Sequence, residues 1–240
     1  MTSFWLHIIA MFCMILDHMW GFGIVQNDIF TCIGRIAFPI FAFMIVEGYF
    51  KTSDLKKYMG RLFLFALLSE IPFNLMIGGT VFYPVAQNVL WTFLIGLCLI
   101  WLMEKVKDKN IAIRSLTLVG VLLLAFILGI ATFCDYHSAG VLTVLVFYIF
   151  RGRKWYLLVG QFLCIYYINA EILGGQGYEF ELWGTSMFFL RQKLAVLGLI
   201  PIWLYNGKQG VYNKYIKYFY YSFYPCHMLI LWFVKQIVLL

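Results

Sequence analysis

The chain has 240 residues, of which 63% are hydrophobic, 20% aromatic and only 12% charged. Soluble globular domains carry about 45–50% apolar and about 25% charged residues, so this composition excludes a soluble enzyme, a disordered chain and a nucleic-acid module. It describes an integral membrane protein whose solvent is the bilayer.

The formal net charge of +7 is a matter of topology rather than of an anionic partner. Fourteen of the eighteen Lys and Arg fall in four short clusters, around residues 51–61, 105–114, 151–154 and 208–217. The polar stretches between them, at 26–30, 78–88, 134–138 and 173–182, contain neither residue. This alternation is the positive-inside pattern of a polytopic protein. The six cysteines stand singly, with no CxxC and no His at ligand spacing, and read as apolar fillers without a metal or a disulfide framework. Residues 1–3 lack the basic run that opens a cleavable signal.

A spanning helix needs about 20 mostly apolar residues. In chain order the candidates are 4–24, 29–50, 60–77, 89–103, 113–133, 138–150, 155–172, 183–204 and 219–239. The sixth is short, and the eighth carries Arg191, Gln192 and Lys193. The prediction is an all-α, polytopic transmembrane bundle of about nine spans, eight to ten being admissible, in one domain over 1–240. With the basic clusters inside, the N-terminus is cytoplasmic and the C-terminus outside. Residues 51–58, basic and aromatic, read as a short interfacial helix between the second and third spans.

Ionisable side chains inside a bilayer are costly and mark functional sites by default. Span one carries Asp17 and His18, about 20 Å above the inner edge of a core roughly 30 Å thick. Arg35 lies about 8 Å below the outer edge in span two, Glu70 about 15 Å up span three and His227 about 12 Å up span nine. Asn88 and Asp135 sit at outer span ends. A polar chamber through the midplane and outer half follows if these helices face one another. Asp17 and His18 are neighbours about 100° apart on the helix and cannot face each other directly. Glu47 lies too far along the axis to meet Arg35 and is placed to pair with Lys51 at i+4. Pro39 and Pro225 remove the donors to the carbonyls of Arg35 and Tyr221, which opens backbone near two of these groups. Tyr221 and Tyr224 belong to an aromatic run that suits an interface, with a phenol or two facing a cavity.

Four stretches resemble the TraX family, whose namesake is a pilin N-acetylase. They are IIAMFCMILDHMW around Asp17–His18, the run from Gly34 to Leu75 that begins GRIAFPIF, YNGKQG from Tyr205, and KYFYYSFYPCHMLIL from Lys217. The resemblance runs almost end to end and is weakest between about 104 and 185. It implies a bacterial, polytopic acyltransferase that takes acetyl from acetyl-CoA, with no metal. The acceptor would be a peptide, glycan or lipid amine or hydroxyl reached from the outer half of the membrane.

That chemistry needs a base near the nucleophile and donors at the developing oxyanion. His18 suits the base, because a neutral imidazole costs less to bury than an ion. His227 competes for that role or carries the acetyl group. Arg35 would hold the oxyanion or an acyl carbonyl, and Asp17 or Glu70 would orient a histidine. Glu47, Asn88, Asp135, Tyr221 and Tyr224 are candidate binding residues. Lys57 and Arg61, on the basic inner rim, are candidates for the phosphates of CoA. The competing reading is a small-solute transporter or binding protein whose charges line a path. It wants paired repeats, and the sequence has none.

Overall fold

The computed structural model describes residues 1–182 and 185–238. The described chain is mostly helical. In order it forms α1 (Ser3–Gly21), α2 (Asp28–Gly34), α3 (Ala37–Lys51), α4 (Leu55–Gly78), α5 (Val89–Lys105), α6 (Ile111–Ala131), α7 (His137–Ile149) and α8 (Trp155–Tyr167). A π-helical turn (Ile168–Leu173) continues α8, and the strands β1 (Gly177–Leu182) and β2 (Thr185–Leu190) follow. Then come a 3-10 segment (Arg191–Gly198), α9 (Leu199–Trp203) and α10 (Lys214–Val238). Among the described residues five helices are long and apolar enough to cross a membrane: Ser3–Gly21, Asp28–Lys51, Leu55–Gly78, Ile111–Ala131 and Trp155–Leu173. Many of their apolar side chains, such as Leu116 at 75% exposure and Phe12 at 59%, cover the outside of the protein and require an apolar solvent.

Packing groups the chain into two compact units. The first comprises Met1–Phe41, Gly152–Phe223 and Ile230–Leu240. Here α1 and α2 form a close helical pair. A Cβ on Gly34 would collide with the Cβ and carboxyl of Asp17, so only glycine permits this approach. The helix breaks after Gly34, as the lost donor at Pro39 predicts, and Pro39 sits in the first turn of α3. At the break Ile36 N–H donates to the Ile33 carbonyl at 3.2 Å, a tight i→i+3 bond.

The expected eighth span is not one α-helix. Residues 183 and 184, with which it would begin, lie outside the described residues, as does residue 239 at the end of the ninth. Thr185–Leu190 instead pairs antiparallel with Gly177–Leu182, with Tyr178 opposite Phe189 and Glu181 opposite Ser186. The cause is visible in β1, where Glu179 and Glu181 alternate with Tyr178 and Phe180 at the period of a strand. The following run from Arg191 returns the chain along α1. Arg191 meets Asp28 and Trp20 beside the end of α1, whereas Ser3 N–H donates to the Lys208 carbonyl at 2.9 Å and Phe4 N–H to the Gln209 carbonyl at 3.1 Å at its start. Eight residues of 3-10 helix at ~2.0 Å each and five of α-helix at ~1.5 Å span ~24 Å. The backbone carbonyls of the YNGKQG loop thereby satisfy two of the orphan N–H groups that open α1.

The second unit comprises Ala42–Arg151 and Tyr224–Leu229. Its most buried helix is the short α7, and Gly129 of α6 allows the backbone around Ser138 to pass in contact. The loops before α5 and α7 are zipped together, Gln87 N–H to the Phe133 carbonyl and Asp135 N–H to the Gln87 carbonyl, both at 2.9 Å. Phe133, Tyr136 and His137 take positive φ (52°, 61° and 44°) there, which costs non-glycine residues energy. No separate interfacial helix occupies 51–58. α3 ends at Lys51 and α4 begins at Leu55, because the Asp54 side chain accepts from the Lys57 N–H at 2.9 Å and starts a new helix.

This cap titrates. The Lys57 backbone N–H, and after it the Lys57 ammonium at 3.2 Å, hold the Asp54 carboxyl below its ordinary range. A depressed carboxyl stabilises the fold above the unfolded value, about 4, and that contribution is lost as pH falls through the lower folded value. The Lys57 amide proton, followed by NMR in detergent, is expected to shift upfield as pH falls below 4, and to show no titration in Asp54→Ala.

Candidate functional site

Asp17 is on α1, and Thr31 and Arg35 lie one turn apart at the end of α2. Their side chains meet where Gly34 lets the two helices touch. The Arg35 guanidinium pairs with Asp17 Oδ1 through Nη2, and the same nitrogen donates to Thr31 Oγ1 at 2.9 Å. Thr31 Oγ1 in turn donates to Asp17 Oδ1 at 2.8 Å. Arg35 Nε reaches the Thr31 carbonyl at 3.4 Å. The other arm, Nη1, donates to Gln192 Oε1 at 3.0 Å. Gln192 Nε2 donates to Asn169 Oδ1 at 2.7 Å, and Asn169 Nδ2 donates to the Ile165 carbonyl at 2.8 Å. Thr31, Gln192 and Asn169 are buried, and the Asp17 and Arg35 side chains are 13% and 21% exposed.

The pair is therefore held by α1, α2, the 3-10 segment and the π-helical turn together. His18 follows Asp17 on α1, within electrostatic reach of Arg35, with its ring 5.2 Å from Phe22. Gln192 falls in the polar triplet that interrupts an apolar stretch of sequence. Nothing in the sequence marks Thr31 or Asn169, whose roles follow from the break after Gly34 and from the π-turn.

At the far end of α1 a second polar knot ties the β-hairpin down. Asp28 accepts from Trp20 Nε1 and from Arg191 Nη1, both at 2.9 Å, and Arg191 Nη2 donates to Gln176 at 2.7 Å. The Tyr178 phenol lies 3.6 Å from Cys32 Sγ, and this contact, with Asp28 nearby, pushes it up to about 12.

The remaining candidates fall in the second unit. Glu70 Oε1 accepts from the Asn88 N–H at 3.2 Å, the Asn88 side-chain amide and Trp91 Nε1 at 2.7 Å. Asn88 Nδ2 also reaches the Ala66 carbonyl at 2.8 Å, while its oxygen caps α5. The Asp135 carbonyl accepts from Thr92 Oγ1 at 2.6 Å, and its carboxyl accepts from the Tyr136 N–H at 3.0 Å. Tyr224 is within electrostatic reach of Asp135 and Glu70, and its ring packs edge-on to the buried His227 at 5.5 Å. Glu47 pairs with Lys51 at 3.2 Å, as its i+4 spacing predicts, and also with Arg151 at 3.1 Å. Lys57 is engaged with Asp54, Arg61 lies one turn further along α4, and Tyr221 lies on α10 in the first unit. The Asp17 carboxylate meets Arg35 and Thr31, and the Glu70 carboxylate meets Asn88 and Trp91. Among the described residues no group of three or more His, Cys, Asp or Glu could hold a metal ion.

These features define a class: a helical membrane protein with a charged network built into its apolar helices. The chain belongs to the TraX family, whose model, described as TraX protein, matches residues 4–235. Over 256 aligned residues it is 26% identical to a probable fimbrial assembly protein FimC of Dichelobacter nodosus, with 98% of this chain and 96% of the relative covered. No solved structure matches it.

Removing one partner of a largely buried ion pair leaves a charge uncompensated, at a cost of about 3–5 kcal/mol. Arg35→Met is expected to lower the unfolding free energy in detergent by that order. Adding Asp17→Asn to the same chain should recover more than half of it, because the stranded charge is gone. A loss under about 1 kcal/mol in the single variant would mean the pair behaves as an exposed one.

Proposed function

We propose that this protein is an integral-membrane acyltransferase that moves an acetyl group from acetyl-CoA to an acceptor amine or hydroxyl reached from the outer half of the bacterial cytoplasmic membrane. The observation that carries the reading is the guanidinium of Arg35, fixed from two sides within apolar helices and within electrostatic reach of His18. A fixed cation in a poorly solvated place is what a developing oxyanion needs, since such a charge requires no reorganisation during the reaction.

In this mechanism the His18 imidazole accepts the acceptor's proton as its nitrogen or oxygen attacks the thioester carbonyl. The new C–N or C–O bond forms, and the negative charge on the tetrahedral oxygen is met by Arg35. Collapse breaks the C–S bond, and the departing CoA thiolate takes the proton back from the imidazolium. Asp17 and Thr31 hold the guanidinium. The name of the Dichelobacter nodosus relative, a probable fimbrial assembly protein, supports a protein acceptor, and hence the amine of a peptide N-terminus.

The topology that suits this reaction has nine crossings, the N-terminus inside and the C-terminus outside. Supporting it, the stretch from Arg191 returns from the far end of α1 to its start and delivers the basic loop at 208–217 to the side of residue 3. In this topology acetyl-CoA approaches from the cytoplasmic side, and the β-hairpin would lie outside.

Two measurements test this reading. Mass spectrometry of cells with and without the chain should reveal a peptide carrying one added acetyl group, absent when His18→Ala is expressed at the same level. Full acetylation by that variant removes His18 from the mechanism. For the topology, a membrane-impermeant thiol reagent on intact cells should label Glu179→Cys and leave Lys208→Cys untouched, and the reverse pattern overturns the orientation.

A further inference from the structure

The two amides behind Arg35 carry no charge, and Asp17 is the acid that meets the guanidinium. We propose that Gln192 and Asn169 are positioning residues that lock the plane of the Arg35 guanidinium, an inference that rests on the acetyl-transfer reading above for its catalytic consequence but not for its geometry.

The direction of every hydrogen bond in this relay is forced. A guanidinium only donates, so Gln192 must turn its oxygen to Arg35 Nη1, at 3.0 Å. Its NH2 then faces Asn169, whose oxygen accepts at 2.7 Å. The Asn169 NH2 is left facing the Ile165 carbonyl at 2.8 Å, and a carbonyl only accepts. Reversing either amide would set donor against donor or acceptor against acceptor in a place where Gln192 is 6% and Asn169 4% exposed, which costs heavily when buried. The Arg35 guanidinium at one end and the Ile165 carbonyl at the other thus fix the sense of both amides between them.

Both amides stand on unusual backbone. Asn169 is the second residue of the π-helical turn, and Gln192 the second residue of a 3-10 segment eight residues long. Runs of 3-10 helix beyond 3–4 residues are uncommon, and π-turns cluster at functional sites. Asp17 and Thr31 hold the guanidinium by Nη2, and Gln192 holds it by Nη1. Both Nη atoms lie off the Nε–Cζ axis, so a half-turn about that bond must break the contacts of both arms, and the Gln192 anchor on Nη1 adds to the barrier that Asp17 and Thr31 set on Nη2. A guanidinium held in one plane keeps its charge where the oxyanion would form. Small misplacements of a catalytic group cost up to about a hundredfold in rate.

The test uses the full chain in lipid nanodiscs with 15N-labelled arginine, and the Arg35 signals are assigned by their loss in Arg35→Lys. The native protein should show separate, slowly exchanging Nη signals for Arg35. Gln192→Met, which keeps the length and removes the polar atoms, should merge them, with rotation at least about tenfold faster. Asn169→Leu, one link further away, should do the same and serves if Gln192→Met fails to fold. In acetylation assays Gln192→Met should lower kcat by about tenfold to a hundredfold while the KM for acetyl-CoA stays within about twofold. Separate Nη signals in both Gln192→Met and Asn169→Leu overturn the positioning role, as does an unchanged kcat. If the native chain shows the guanidinium behaviour and yet acetylates nothing, the lock on Arg35 stands and the acetyl-transfer reading falls.

Discussion

An arginine and an aspartate share one oxygen-rich knot in the apolar part of this protein, and much of the first unit is arranged around that fact. A charge moved from water into a medium of low dielectric loses solvation worth several kcal/mol even after relaxation. The loss is bearable only when each lone pair and each N–H finds a partner. Asp17 and Thr31 answer one arm of Arg35, and Gln192 answers the other. The geometry that allows it is expensive elsewhere. It needs a glycine at position 34 so that α1 and α2 can touch, a helix broken ahead of Pro39, a 3-10 segment and a π-turn. Each departure from regular helix brings a polar group to the pair that an unbroken rod would have pointed elsewhere.

The second unit follows the same rule with a single charge. Glu70 accepts from neutral donors, those of Asn88 and Trp91. It is satisfied by the start of α5, where the Asn88 backbone and side chain and the Trp91 indole converge on one oxygen. A helix N-terminus carries a partial positive charge and unused N–H groups, so it suits a carboxylate better than the middle of a helix would. At the other end of the unit, Glu47 is shared between Lys51 and Arg151, with the guanidinium stacked 4.0 Å over Phe50.

Hydropathy and charge alone reveal most of the helices, since a slab of fixed thickness dictates their length. The rule that intramembrane ions face protein rather than lipid is enough to single out Asp17, Arg35 and Glu70, and helical spacing is enough for Glu47 with Lys51. The β-hairpin escapes because TSMFFL reads as an apolar run, and its period of two shows only beside the alternating glutamates of β1. The pairing of the acids is also beyond the sequence. Triad logic offers Asp17 or Glu70 as the acid beside a histidine, and the fold adds Arg35 and Thr31 around the first and Asn88 and Trp91 around the second. Thr31, Gln192 and Asn169 are ordinary polar residues until the break, the 3-10 run and the π-turn aim them at one guanidinium.

The central claim is that this fixed cation serves acetyl transfer, and the most direct measurement follows both products at once. Purified chain in proteoliposomes, given acetyl-CoA on the side of the basic loops and an acceptor peptide on the other, should release one free CoA thiol for each peptide amine acetylated, with neither product when Arg35 is replaced by Met. Passage of an intact solute across the vesicle, with no thiol released, would contradict it.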